Sequence, residues 1–264
     1  MSVLLEALGN ITTLTMILLF ISLAIALFYE MVNGFHDTAN AVAMIIYTNS
    51  MKAGYSVIMA GIMNFLGVIL GVFLALGKIS KNRVINKIAS AYVFFFRGTP
   101  LLIQLFVVYF TVPGLFGFAW RDFFSAADAD GVYKGAFIAA LIAFALNSGA
   151  FISEIVKGAL MGIDPGQKEA GASLGLTSAQ TMIHLVIPPA FKAALPALFN
   201  QFIISVKDTA LLSAIAVNEI THQAQAYAAL SFKAIPTYTA LAVFYLIILS
   251  ILIIVQKQIE RKMR

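Results

Sequence analysis

The sequence contains no cysteine, one tryptophan and few charged residues. Without cysteine it can form neither a disulfide nor a cysteine-ligated metal site. Only 11% of its 264 residues are charged, whereas a soluble domain carries about 25%. Hydrophobic residues make up 61% of the chain, which is more than a single soluble core can bury. This composition excludes a soluble enzyme and predicts an all-α polytopic membrane protein.

Long uncharged stretches divide the chain into predicted membrane spans. A helix needs about 20 apolar residues to cross the hydrocarbon core. Six windows reach that length, namely Ala7–Tyr29, Ala53–Gly77, Gly98–Trp120, Gly135–Ser153, Ala193–Asn218 and Ala234–Gln256. The third extends backward through Ile88–Phe96, and a shorter stretch, Thr38–Met51, is more typical of a re-entrant or interfacial segment. We therefore predict about six transmembrane helices.

Basic residues orient these spans, because lysine and arginine collect in cytoplasmic loops. One basic cluster follows the second span and another follows the sixth; they comprise Lys78, Lys81, Arg83, Lys87, Lys257, Arg261, Lys262 and Arg264. Both clusters, and with them both termini, are predicted to be cytoplasmic. The same alternation places loop 157–192 inside, and loop 120–134 and the connection carrying Glu219 outside. This bias accounts for the net charge of +5 and leaves no basic patch for nucleic acid.

The inner loop Gly162–Pro189 is too polar to span the membrane and carries signals for a short helix. Asp164 is placed to cap a helix over residues 167–174, with Gln167 at the capping-box spacing. Gly175 follows at the position where a left-handed residue commonly ends a helix. The pattern therefore predicts one short, sharply terminated helix in this loop.

A second helix signal follows at once. Thr177 and Gln180 repeat the capping-box spacing. We expect this helix to end before Pro188-Pro189, because proline lacks an N–H and breaks a helix interior. Two capped helices joined at a glycine form either a structured connector or a docking element exposed to the cytoplasm.

No nucleotide-hydrolysis or metal site is predicted. The stretch from Gly71 to Ser80 resembles a phosphate-binding loop only in part, because its glycines are too far apart and Ile79 replaces the hydroxyl that reaches Mg²⁺. The three histidines, His36, His184 and His222, have no metal-ligand spacing. We expect no bound cofactor or metal and no enzymatic activity in this chain.

Charged residues inside a membrane span are costly and count as functional hypotheses. Lys207 and Asp208 interrupt the fifth predicted span. Adjacent residues do not face each other on a helix, so each needs a separate partner or a polar cavity. The alternative is that the two mark the end of a tilted span.

The inner end of the fourth span carries further polar residues. Glu154 and Lys157 are three residues apart, a spacing that permits a structural ion pair. Asn147 and Ser148 lie in mid-span, where such side chains either bond neighbouring helices or face a pore. The sequence leaves both alternatives open.

Four motifs follow one another in the second part of the chain. They are FRGTPLLIQLF at 96–106, SEIVKG at 153–158, EAG at 169–171 followed by Gly175 and LVIP at 185–188, and KDTALLS at 207–213. In this order and spacing, the chain from about Gly71 onward resembles the permease subunits of polar amino-acid ABC importers. The resemblance implies the helical bundle of a type I importer, within residues 71–264.

The EAG motif resembles the EAA loop of that family, which docks on a separate ATP-hydrolysing subunit. The residues that the resemblance assigns to this coupling loop, 162–189, are Glu169, Ala170, Gly171 and Gly175. Gly171 stands where the family usually has a second alanine, and should weaken the first short helix slightly. The implied partners are a cytoplasmic ATP-binding subunit, an extracytoplasmic amino-acid-binding protein, membrane lipid and a second permease subunit, the same or different.

The expected substrate path lies between or within the fourth and fifth spans, where polar residues cluster. The candidate path residues are Asn147, Ser148, Glu154, Lys207, Asp208 and Thr209. We expect the chain to be a multi-pass permease of the bacterial inner membrane that moves a polar amino acid inward.

Residues 1–70 do not fit this family. The stretch around Asn33, Asp37 and Asn40, with Val57–Gly67, resembles the start of inorganic phosphate (PiT-type) transporters, and there these three residues would belong to the ion and phosphate site. That family uses two inverted copies of the motif, and no second copy occurs here. The chain therefore resembles a composite whose first part is expected to be inert in transport. The alternative function is ion-coupled phosphate transport, or a relic of it.

Overall fold

The computed structural model describes residues 53–120 and 130–263. The predicted first span Ala7–Tyr29, the stretch Thr38–Met51 and the motif residues Asn33, Asp37 and Asn40 lie outside the described residues. Within those two ranges the chain forms helices and short connections, with no strand. The expected all-α class is confirmed for this part of the chain.

The helices are numbered here in chain order. They are α1 (Ala53–Ile79), α2 (Arg83–Gly98), α3 (Leu101–Phe106), α4 (Val112–Phe116), α5 (Asp130–Met161), α6 (Gly166–Ser173), α7 (Ser178–Thr181), α8 (Ile187–Asp208), α9 (Ile220–Ser231) and α10 (Ala234–Met263). Wide π turns join α3 to α4 at Val107–Thr111 and α7 to α8 at Met182–Val186. A 3-10 turn, Thr209–Ile215, extends α8.

Four helical stretches in the described ranges are long and apolar enough to cross a membrane. They are Ala60–Ile79, Gly135–Met161, Ser178–Ile215 and Ala234–Arg261. These correspond to the predicted second, fourth, fifth and sixth spans.

The predicted third span is not one straight helix. Its two parts, Arg83–Gly98 and Leu101–Phe116, are bent by 105° and form a span only if counted together. The break falls at Thr99, which has an extended backbone (φ −117°, ψ 142°). Pro100 causes this, because a residue before proline is pushed out of the helical region.

The prediction that the second loop helix ends before Pro188-Pro189 is wrong. The helix that starts at Ser178 continues through the π turn into α8, so that 178–215 is one candidate span. The prolines occupy the first turn of α8, where a missing N–H costs little. The π turn before them supplies the local change of register that a continuous helix needs.

Small residues hold α1 close to α5. A Cβ atom added at Gly67 would lie 2.7 Å from Cβ of Ser148, and one at Gly71 would lie 2.7 Å from Cγ2 of Ile152. From the first pair to the second, the residue number rises by four on both helices, so α1 and α5 run parallel. This is expected, because successive spans alternate in direction and these are the second and the fourth. Gly67 and Gly71 thus form a GxxxG contact of the kind that lets membrane helices approach closely.

Replacing Gly71 with leucine should separate α1 from α5, at a cost of about 1–3 kcal/mol. We expect a lower melting temperature for the detergent-purified protein. Gly61→Leu, on the same helix, is the matched control, because no atom of the described neighbouring residues lies within 4 Å of a Cβ added at Gly61. Equal melting temperatures for the two variants would contradict the close packing.

Candidate functional site

The loop between α5 and α8 ends its first helix with a tight turn at Gly175. This glycine has a φ of +76°, in the left-handed region that glycine adopts without strain. The N–H of Leu176 donates to the carbonyl of Gly171 and that of Gly175 to Ala172, both at 3.0 Å. This pair of bonds is a Schellman motif, and the predicted left-handed end of the helix is confirmed.

The second helix begins with the predicted capping box. The N–H of Gln180 donates to Oγ1 of Thr177 at 3.3 Å, and the N–H of Thr177 donates to Oε1 of Gln180 at 2.9 Å. Each residue therefore satisfies an N–H that the first turn leaves free. The two helices are fixed at their junction from both sides.

The capping box predicted for the first helix does not form. Oδ1 of Asp164 accepts the N–H of Gly166 at 2.8 Å, two residues on, and the side chain of Pro165, the residue at the cap, makes no capping bond. Pro165 already has helical angles (φ −52°, ψ −30°). The helix therefore starts at Gly166, one residue earlier than predicted, and Asp164 closes a turn before it.

Gly171 is the contact point between α6 and α7. It is buried, and a Cβ added there would lie 2.5 Å from Oγ1 and 2.6 Å from Cγ2 of Thr181. Real Cβ atoms do not approach side chains so closely, so the glycine is what lets the two helices pack. Sequence reasoning assigned it only a small helix penalty and missed its partner, which is ten residues away.

Most of this helix pair faces outward. Glu169, Ala170 and Gly175 are exposed, and the apolar side chain of Leu174, which directly follows α6, is 74% exposed. Exposed apolar side chains beside charged ones are typical of a protein interaction site. The structure thus presents a rigid pair of short helices with an open surface.

The predicted path residue Asn147 contacts the break between α2 and α3. Its Nδ2 donates to the carbonyl of Phe96 at 3.3 Å and to Oε1 of Gln104 at 3.0 Å. Nε2 of Gln104 donates to the carbonyls of Phe96 and Thr99, at 2.8 and 2.9 Å. The two amides satisfy carbonyls that the helix break frees, which is required where no water is available. Sequence reasoning missed Gln104; its signal was its place four residues after Pro100.

Glu154 forms a cluster with two cations from other helices. Its carboxylate is bonded to Nζ of Lys78, at the end of α1, and lies 3.8 Å from Nη1 of Arg97 in α2. Lys157, the partner that spacing suggested, forms no ion pair with it in the described residues. Glu154 therefore ties together α1, α2 and α5.

A buried polar stripe runs along α8. Gln201, Ser205 and Thr209 are each four residues apart and all are buried, so they share one face of the helix. Oγ of Ser205 lies 3.5 Å from Oγ of Ser148 in α5. Two predicted path residues therefore face the interior of the helical bundle. Thr209 belongs to the stripe, and Ser148 on α5 lies beside it.

The other two residues of this region differ in exposure. Lys207 is exposed and Asp208 is half-buried. Within residues 53–120 and 130–263, neither forms an ion pair. Glu154 does not contact Lys207 or Asp208, because its ion pairs are with Lys78 of α1 and Arg97 of α2.

Glu219, which the sequence places between two spans, is completely buried. Its Oε2 accepts the N–H of Thr221 at 2.8 Å, and its Oε1 accepts that of His222 at 2.6 Å. Burial raises the pKa of this carboxyl group to about 7, while the hydrogen bonds from the two amides lower it. Glu219 therefore caps α9, a role that sequence reasoning missed because glutamate is uncommon as an N-cap.

Comparison with known proteins shows extended similarity. The family described as "Binding-protein-dependent transport system inner membrane component" matches residues 67–264. The glutamine transport system permease protein GlnP of Escherichia coli is 35% identical over 198 residues, which are 75% of this chain and 84% of that protein. The L-cystine transport system permease protein TcyB of Bacillus subtilis is 37% identical over 211 residues, 79% of this chain and 84% of that protein.

The fold is shared as well. A crystal structure of an amino acid ABC transporter with histidines contains a chain that superposes with a TM-score of 0.71 and 32% sequence identity, over 84% of this chain and 97% of that one. In such transport systems the ATP is hydrolysed by a separate subunit. The protein is therefore a transport subunit and not an enzyme, and it belongs to the family of binding-protein-dependent transport system inner membrane components.

Proposed function

We propose that this chain is the membrane-spanning permease subunit of an ATP-driven importer for a polar amino acid. The observation that carries the proposal is the similarity of 198 or more residues to permeases named for glutamine and L-cystine transport. The same similarity favours this function over ion-coupled phosphate transport. An ATP-binding subunit and a substrate-binding protein are its partners.

The helix pair α6–α7 is the proposed docking site for the ATP-binding subunit, on the cytoplasmic side. A motor subunit can drive transport only if its movement is passed to the membrane helices, and that requires a rigid contact. The Schellman turn at Gly175 and the capping box at Thr177 supply rigidity. The exposed Glu169 and Leu174 supply a surface that fits helix-in-groove recognition, and α7 continues directly into the membrane span.

The proposed substrate path runs beside α5 and α8, at or near a contact with a second permease subunit. The described contacts of Asn147, Ser148 and Glu154 hold helices together, which leaves Lys207 and Asp208 as the path residues with uncommitted charges. A lysine suits the carboxylate of an amino acid, and an aspartate suits its ammonium group. Both termini are proposed to be cytoplasmic, in accord with the basic residues clustered at the ends of α1 and α10.

Uptake by the reconstituted complex tests this function. The permease, purified with its ATP-binding subunit, is placed in proteoliposomes with the binding protein outside and ATP inside. We expect uptake of at least one of radiolabelled glutamine, arginine or cystine, and none when the ATP-binding subunit is omitted. Phosphate uptake driven by an ion gradient, without ATP, would overturn the proposal.

The permease domain is proposed to be residues 71–264, preceded by an N-terminal span and PiT-like segment at 1–70, of which residues 1–52 are an added piece that takes no part in transport. The Asn33–Asn40 motif is a single copy where its family uses two, so it lacks half of a site. The proposed join, near Gly67–Gly71, falls within α1, which runs unbroken from Ala53 to Ile79.

Asp37→Asn and a chain beginning at Ala53 should both retain ATP-driven uptake. The expected rate is near that of the unaltered protein once it is normalised to protein in the membrane, although the shorter chain can insert less well. The measurement is the uptake assay described above. Loss of uptake in Asp37→Asn at normal expression would show that the motif is functional and that this domain assignment is wrong.

A further inference from the structure

Asn64 is a buried amide without a hydrogen-bond partner. It lies within the candidate span Ala60–Ile79 of α1 and is 7% exposed. Neither its Nδ2 nor its Oδ1 has a partner among the described residues. An unpaired polar group costs free energy in a protein interior and more so in a membrane, so such a group calls for a physical explanation.

The side of α1 that carries Asn64 packs on α5, which in turn contacts the buried polar stripe of α8. Gly67, one turn along α1 and on the same side, packs directly on Ser148. Ser148 in turn lies 3.5 Å from Ser205, a member of that stripe. Helices α1, α5 and α8 also pack against one another. Polar side chains from three helices therefore converge in the interior of the bundle.

The other amides of the bundle show that an unpaired amide is not a general property of this fold. Asn147 and Gln104 are buried to a similar degree, and both are hydrogen-bonded to the carbonyls at the break before Pro100. Those two residues have structural partners within the chain. Asn64 has none in the described residues, so within them both of its polar atoms are available to a ligand.

We propose that Asn64 binds the α-ammonium and α-carboxylate groups of the transported amino acid as it passes between α1, α5 and α8. An asparagine side chain offers two N–H donors and one carbonyl acceptor. The carboxylate accepts from Nδ2, and the ammonium group donates to Oδ1, so that both unpaired atoms are satisfied at once. This adds α1 to the proposed path and rests on the proposed function.

Asn64→Leu tests the proposal, because leucine has nearly the same size and no polar atoms. If the amide served no ligand, removing it would leave stability equal or higher and uptake unchanged. If it binds substrate, uptake should fall by about tenfold or more, the effect of losing a hydrogen bond to a charged group, at an unchanged or higher melting temperature. Thr239→Val, at an exposed position on α10, is the control and should keep full uptake.

Three outcomes decide between the alternatives in the same proteoliposome assay with radiolabelled glutamine, arginine and cystine. Reduced uptake with retained melting temperature and retained basal ATP hydrolysis supports the role of Asn64. Uptake equal to that of the unaltered protein, or a melting temperature that falls together with uptake, overturns it and leaves the proposed function intact. No ATP-driven amino-acid uptake by the unaltered protein overturns the proposed function itself.

Discussion

Gly175→Val should nearly abolish ATP-driven uptake while the protein still inserts into the membrane. The backbone at Gly175 has a φ of +76°, and a β-branched residue there is strained by about 1–3 kcal/mol. The smallest structural change that relieves this strain is to open the Schellman turn. Opening it breaks the hydrogen bonds that the N–H groups of Gly175 and Leu176 donate to α6. The two short helices would then lose their fixed angle, and movement of the ATP-binding subunit would not reach α8.

The graded control for this change is Gly175→Asn. Asparagine adopts left-handed angles more readily than other residues with a side chain, so it should retain most of the uptake. The measurements are uptake and ATP hydrolysis for both variants, normalised to membrane protein. If Gly175→Val took up substrate at the unaltered rate for each ATP hydrolysed, Gly175 would have no role in coupling.

Gly171→Ala should also impair coupling, by forcing α6 away from α7. The added Cβ would meet Oγ1, Cγ2 and Cβ of Thr181 at 2.5, 2.6 and 3.0 Å, and such overpacking costs about 1–3 kcal/mol. A helix-propensity argument predicts the reverse sign, since alanine favours a helix over glycine by about 1 kcal/mol. The close contact is the larger effect because both side chains sit on short helices that are fixed at their junction.

The double variant Gly171→Ala/Thr181→Ala isolates this contact. The second change removes two of the three close atoms and leaves the third at 3.0 Å, so it should restore part of the lost uptake. Thr181→Ala alone should have a smaller effect than Gly171→Ala. Additive losses in the double variant would mean that the two residues do not act through each other.

Local signals in the sequence predicted much of the fold. Long apolar windows predicted the four candidate spans, because crossing a membrane imposes a minimum length. Gly175, Thr177 and Gln180 predicted the junction of the two short helices, because capping depends on residues within one turn of each other. These features require no knowledge of distant partners.

Contacts between distant helices could not be predicted in this way. Lys78 and Glu154 are 76 positions apart, so the nearby Lys157 was the only partner that spacing suggested. The role of Gln104 depends on carbonyls freed by the break at Pro100, and that break was not predicted. Asn64 lay in an apolar window, and its lack of a partner became visible only once its neighbours were placed.

The central claim is that a separate ATP-binding subunit drives this permease through α6–α7. Since the chain has no cysteine, a single Glu169→Cys substitution gives one unambiguous site for cross-linking in the assembled complex. We predict a cross-link to the ATP-binding subunit from position 169, and none from Phe232→Cys, which lies beyond α9 and is 93% exposed. A complex that transports with ATP but cross-links equally from both positions, or only from position 232, would contradict the account.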